Sequence, residues 1–109
     1  MVDQVGLIGE NLGWTVQTAV TLSNTNTTHV DCTNASVVFI ETSHKLDINF
    51  GSAEADVDDN DIEIPAGAHS FIVPKAVGNS TILNYRRAER SSTVVRVVLS
   101  YCYHHQYKL

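Results

Sequence analysis

The strongest pattern in the chain is TVVRVVLSYCY, residues 93–103, near the C-terminus. The even positions of this stretch are mixed, with Arg96 and Ser100 among apolar residues. An alternation with a period of two, rich in β-branched and aromatic residues, predicts a β-strand. The odd positions form an unbroken apolar row: Val95, Val97, Leu99, Tyr101 and Tyr103.

Six further runs have the same β-type character. The run at 36–41 is almost entirely apolar, which predicts a strand buried on both faces. The run at 14–22 places Trp14 on its apolar side, which predicts that Trp14 belongs to the core. The six runs are WTVQTAVTL (14–22), SVVFIE (36–41), LDINF (46–50), IEI (62–64), HSFIV (69–73) and TILNYR (81–86).

The seven runs follow one another at intervals of roughly 8 to 15 residues, which is typical of all-β folds. No window repeats apolar residues at helical spacing for long enough to predict a helix. The sequence therefore predicts an all-β, single-domain antiparallel β-sandwich or partly closed barrel of about seven strands, spanning 1–109. Residues 1–13 and 104–109 lack the alternation, and we interpret them as extended terminal arms.

Composition and charge exclude several classes of partner. Hydrophobic residues make up 43% of the 109 positions and charged residues only 17%, and the net charge is −5. An acidic chain without a basic stripe repels phosphate backbones, so no nucleic-acid partner is predicted. No apolar run approaches the roughly 20 residues that span a bilayer, and the N-terminus lacks signal-peptide features. We therefore expect that the chain is made inside a cell and that it does not associate with membranes.

The acidic cluster at 56–61, followed by Glu63, is the one candidate cation site in the sequence. Asp56, Asp58 and Asp61 are weak candidates for a hard cation, which prefers oxygen ligands. The cluster fails the EF-hand pattern, since it has neither the turn glycine nor the closing glutamate. A solvated acidic loop is the favoured interpretation, and no metal or other cofactor is predicted.

Nothing in the sequence predicts an enzyme. It contains no Gly-x-Ser-x-Gly motif and no phosphate-binding loop, and its five histidines lack zinc-ligand spacing. Cys102 falls within a predicted strand, a poor place for an attacking thiolate. Cys32 and Cys102 are too few for a disulfide framework, and they could pair only if their strands meet in space.

Two groups of side chains are candidates for binding a partner. Arg86, Arg87 and Arg90 could hold a carboxylate of another subunit, because guanidinium groups bind carboxylates in a bidentate manner. The alternative for this cluster is an ordinary surface turn. Tyr103 and Tyr107 are the aromatic candidates near the C-terminus.

The centre of the chain, roughly 37–99, resembles a small β-rich structural protein often found in tailed bacteriophages. The likeness lies in an apolar strand, a strand ending in Phe-Gly, a polar Ala/Asp loop, a hydrophobic-Pro-Ala-Gly turn, a further strand and a Val-rich closing strand. These parts are VVFI (37–40), DINFG (47–51), residues 53–61, IPAG (64–67), SFIV (70–73) and TVVRVVL (93–99). The extra acidic residues at 58–61 and the Tyr/His-rich end after Ser100 depart from the pattern.

The resemblance implies a non-enzymatic virion protein, most simply a capsid decoration or cement subunit bound to a major capsid protein lattice. It implies assembly in the host cytoplasm and a homo-oligomer, for which a trimer is a common arrangement. The alternative function is a carbohydrate- or surface-binding β-sandwich, which would need exposed aromatic side chains. A third hypothesis, a small metal-dependent enzyme, rests on the acidic cluster alone.

Overall fold

The structure is a computed structural model that describes residues 14–74 and 80–101. These residues form nine β-strands and no helix. The predicted arms at 1–13 and 104–109 lie outside the described residues. The strands are β1 Trp14–Val16, β2 Val20–Leu22, β3 Thr28–Asp31, β4 Val37–Thr42, β5 Leu46–Gly51, β6 Ile62–Ile64, β7 Gly67–Ile72, β8 Ile82–Arg87 and β9 Thr93–Ser100.

The strands form two antiparallel sheets. In the first sheet β1 and β2 both pair with β9, and the order continues through β4 to β7. The second sheet has the order β3-β8-β5-β6. From β2 onward each connection crosses between the sheets, except the one from β5 to β6. This is the strand order of a jelly roll, a sandwich that can be built from two Greek keys, and it confirms the prediction of an all-β antiparallel sandwich.

One hydrophobic core fills the space between the sheets. The first sheet contributes buried side chains from β2, β4 and β9, and the second sheet contributes them from β5, β6 and β8. Full burial of each aliphatic side chain stabilises the fold by about 1.5 to 3 kcal/mol. The largest members are Val38, Ile40, Leu46, Ile48, Leu83, Tyr85, Val95, Val97 and Leu99.

Strand β9 follows the alternation predicted for it. Val95, Val97 and Leu99 are buried, whereas Val94 and Arg96 between them are exposed. The strand is also the most connected in its sheet, because it pairs with β1, β2 and β4. The turn predicted at Pro65-Ala66-Gly67 is present as well, and Gly67 begins β7 with a φ of 124° that favours glycine.

Two predictions about burial are wrong. The run at 14–22 is interrupted at residues 17–19, and Trp14 is 44% exposed rather than part of the core. The run at 36–41 is buried on one face only, because Phe39 is 42% exposed while Val38 and Ile40 are buried. In both cases an apolar side chain points away from the core.

Strand β3 was not predicted, because its sequence THVD carries no alternation that favours a strand. It forms because Val30 lies opposite the buried Leu83 of β8. Pairing with β8 thus makes a strand of a polar segment.

The described residues contain no helix long and apolar enough to cross a membrane.

Candidate functional site: an exposed apolar sheet face

The outward side of the first sheet carries an unusual number of exposed apolar side chains. Trp14 and Phe39 are exposed as noted above, and Val16 is 61% and Ile72 83% exposed. Of the six large apolar side chains exposed in the described residues, five lie on this side, the sixth being Ile62 of the second sheet. Single exposed apolar residues are ordinary, but a contiguous apolar patch marks an interaction site.

Strand register makes this patch contiguous. Val16 lies opposite Val98, which lies opposite Phe39, so one row crosses β1, β9 and β4. The next row runs from Trp14 through Ser100 and Val37 to Ile72. Side chains opposite one another on neighbouring strands are about 5 Å apart at Cβ. We call this surface the apolar face; its members are Trp14, Val16, Val37, Phe39, Ile72 and Val98.

A pair of opposite charges borders the apolar face. Glu41 of β4 lies opposite Arg96 of β9, one row beyond Phe39 and Val98. These two side chains line a shallow depression of about 290 Å³ that also reaches Ala68 of β7. An apolar centre with charges at its rim is the arrangement found in protein–protein interfaces.

Strands β1 and β9 meet at one corner of the apolar face, where Trp14 lies opposite Ser100. Tyr101, the last described residue, is half-buried and packs against the core. The predicted partner residues Tyr103 and Tyr107 follow it and lie outside the described residues.

The three arginines predicted to bind a partner do not share one site. Arg86 lies opposite Asp47 on the outward side of the second sheet, with its Nε 3.6 Å from Asp47 Oδ2. The next residue, Arg87, donates a hydrogen bond through Nη1 to the carbonyl oxygen of Arg90 at 3.1 Å. Arg86 therefore faces an internal carboxylate and Arg87 shapes its own turn, while the side chain of Arg90 is exposed.

The acidic cluster is anchored to the body of the protein through Val57, while the side chains of Asp56, Asp58 and Asp59 are exposed. Val57 is only 2% exposed, and its backbone nitrogen donates to Thr27 Oγ1 at 3.1 Å. The carboxylates of Asp58 and Asp61 accept backbone hydrogen bonds within the turn, from Asn60 and Asp58 respectively. No group of three or more His, Cys, Asp or Glu side chains within the described ranges is arranged to hold a metal ion.

Asn84 fixes the segment 52–61 to the sheet. Its side chain is fully buried, and Nδ2 donates to Asn49 Oδ1 at 2.8 Å and to the carbonyl oxygen of Ala53 at 3.4 Å. Its Oδ1 accepts from His29 Nδ1 at 2.6 Å and from the backbone nitrogen of Ala55 at 3.5 Å. All four hydrogen-bonding positions of this amide are used, which a buried polar group requires.

Cys32 is fully buried, and its Sγ lies 3.6 Å from the carbonyl oxygen of Val30. Cys102 lies outside the described residues, so a pairing of the two cysteines is still only a hypothesis.

Asp47 gives the protein a pH dependence of stability. Burial raises the pKa of Asp47 above its ordinary value of 3.8, and the positive charge of Arg86 opposes this shift without cancelling it. The folded protein then holds this proton more tightly than the unfolded chain does. The contribution to stability is fully present below pH 3.8 and is lost as the pH rises through the folded-state pKa.

We therefore expect the stability difference between Asp47→Asn and the wild type to shift in favour of the variant as the pH rises from 3.5 to 7. Urea unfolding at several pH values would measure it. In the companion variant Arg86→Gln the same loss of stability should occur at a higher pH than in the wild type, because the charge that lowers the pKa of Asp47 is removed. A difference that does not change with pH would contradict the assignment.

The chain matches no protein-family model, and it matches no curated protein and no solved structure.

The sequence reasoning missed Phe39 and Ile72 as surface residues, although a signal was present. Phe39 is two positions before Glu41 and therefore shares its side of the strand. Ile72 is two positions after Ser70 and shares its side in the same way. The polar neighbours at a spacing of two indicate the outward side in both strands.

Proposed function

We propose that this protein is a non-enzymatic accessory subunit of a virion, a capsid decoration or cement protein assembled in the host cytoplasm. Its apolar face docks on a major capsid protein lattice. The single observation that carries the proposal is the contiguous apolar face with two aromatic side chains.

The composition of the apolar face favours a protein partner. Trp14 and Phe39 are of the residue types that dominate binding energy when they are desolvated at the centre of an interface. The rim pair Glu41 and Arg96 offers both signs of charge, which sets orientation more than affinity. Burial of this face in an assembly would remove apolar surface from water, the main driving force for association.

The fold supports this proposal only by analogy. Jelly rolls occur in viral capsid domains and also in lectin domains, and one fold serves many functions. The central motifs that resemble phage structural proteins shift the balance towards the virion role.

The exposure of Trp14 favours carbohydrate binding as a second candidate function. An exposed indole beside Phe39 could stack on a sugar ring, and Glu41 and Arg96 could supply hydrogen bonds. Free oligosaccharide would compete for such a site, whereas it would not compete with docking on a capsid lattice.

Phe39→Ser is expected to weaken co-sedimentation with capsid shells by at least about 30-fold, the effect of an interface hot spot of about 2 kcal/mol. The stability of the free protein should change little, because the side chain is already partly exposed. The matched control is Ile62→Ser, which removes an exposed apolar side chain from the other sheet.

Equal binding of shells by the wild type and Phe39→Ser would contradict the role of the apolar face. Binding to a glycan panel that is lost in Trp14→Ala and is displaced by free sugar would replace the virion role with the second candidate.

A further inference from the structure

Strand β7 is the least protected sheet edge in the described part of the molecule. Proteins protect edge strands by keeping them short, interrupting them or adding charges. The opposite edge of the first sheet is interrupted between β1 and β2, β6 has three residues, and β3 carries Asp31. In contrast, β7 runs without interruption over Gly67–Ile72 and contains no Asp, Glu, Lys or Arg.

The backbone groups that β7 leaves available can be assigned from its pairing. Val73, just after the strand, donates its N–H to the carbonyl oxygen of Ser36, on the β4 side. Backbone groups of alternate residues in a strand point to opposite edges, so His69 and Phe71 also face β4. Ala68, Ser70 and Ile72 therefore present their N–H and C=O groups at the outer edge, where the described residues provide no strand.

We propose that the occupant of this edge is a second copy of the chain, with β7 pairing antiparallel to β7 about a twofold axis at Ser70. This register places Ser70 opposite Ser70 of the second copy, and the twofold axis places Ala68 of each copy opposite Ile72 of the other. These three pairs are all of the hydrogen-bonded type, which gives about six backbone hydrogen bonds.

The side chains of β7 are complementary to themselves in this register. The large, 83% exposed Ile72 meets the small Ala68, and the two Ser70 side chains meet at the axis. On the inward side His69 comes opposite Phe71 of the second copy, next to the stack that these two residues form within one chain. With no charged residues in the strand, self-pairing meets no like-charge repulsion.

The dimer would also place the two apolar faces side by side on one continuous sheet. The inference goes beyond the proposed function, because the dimer forms without a capsid.

The test is the mass of the purified protein by light scattering and sedimentation equilibrium, without shells. The wild type is expected to be a dimer. Ala68→Lys should raise the dimer dissociation constant by more than about 30-fold, because the twofold axis places the introduced lysines of both copies in the interface. Ser70→Pro should have a similar effect by removing an outward N–H that the β4 pairing does not use. Thr21→Lys, the same kind of charge on β2 at the opposite edge, should remain dimeric.

A disulfide test reports the register. In a Cys102→Ser background, Ser70→Cys should oxidise to a covalent dimer, and Ala68→Cys should not, since its partner is Ile72. A monomeric wild type at about 100 µM, or equal cross-linking of both variants, would overturn the inference. A monomer that still binds shells would contradict only the β7 pairing, and a dimer that ignores shells would contradict only the proposed function.

Discussion

Leu99→Ala is expected to lower the free energy of unfolding by about 2 to 5 kcal/mol, the cost of deleting a fully buried leucine side chain. Leu99 is 1% exposed, and on β9 it lies opposite Thr15 of β1 and Val38 of β4. Its inward side chain is part of the core between the sheets, so its removal leaves a cavity that the rigid surroundings fill only in part. Equilibrium unfolding in urea would measure the loss.

The matched control is Val98→Ala on the same strand. Val98 is adjacent in sequence but points to the apolar face and is only half-buried. Its replacement should cost less than about 1 kcal/mol, as is usual for partly exposed side chains. Similar losses for both variants would contradict the orientation of β9, and with it the position of the apolar face.

The orientation of β9 could be predicted because its alternation is regular and Arg96 marks the outward side. The prediction that β4 is buried on both faces was wrong because Val38, Phe39 and Ile40 are all apolar, and hydrophobicity alone does not distinguish core from interface. A strand that carries an interface on its outer side has the same composition as a strand buried on both sides. The composition of β4 therefore did not indicate that its outward side is part of the candidate site.

The pairing of strands could not be predicted either, since register depends on contacts between distant segments. The apolar face exists because Val16, Val98 and Phe39 share one row, although they lie far apart in sequence. The polar strand β3 and the attachment of the segment 52–61 depend in the same way on β8. Local propensity carries no information about such neighbours.

The second large effect is expected for Asn84→Ala, which should lower the free energy of unfolding by about 2 to 4 kcal/mol. The reason is the set of partners left behind: His29 Nδ1, Asn49 Oδ1 and backbone groups of residues 53 and 55 all lose a hydrogen bond. A buried group without a partner costs about 1 to 3 kcal/mol, and several members of a network are affected together.

The same substitution should release the segment 52–61 from the sheet. Hydrogen exchange at the amides of Ala55 and Val57 should accelerate much more than exchange in β9, because the segment is tied to the sheet through Asn84 and Thr27. Asn60→Ala is the control, since Asn60 is an exposed residue of the same segment. Unchanged exchange together with a loss below about 1 kcal/mol would mean that Val57 and the turn at Asp58 hold the segment without the amide. In that case the buried asparagine would not be what keeps the backbone of the segment 52–61 attached to the sheet.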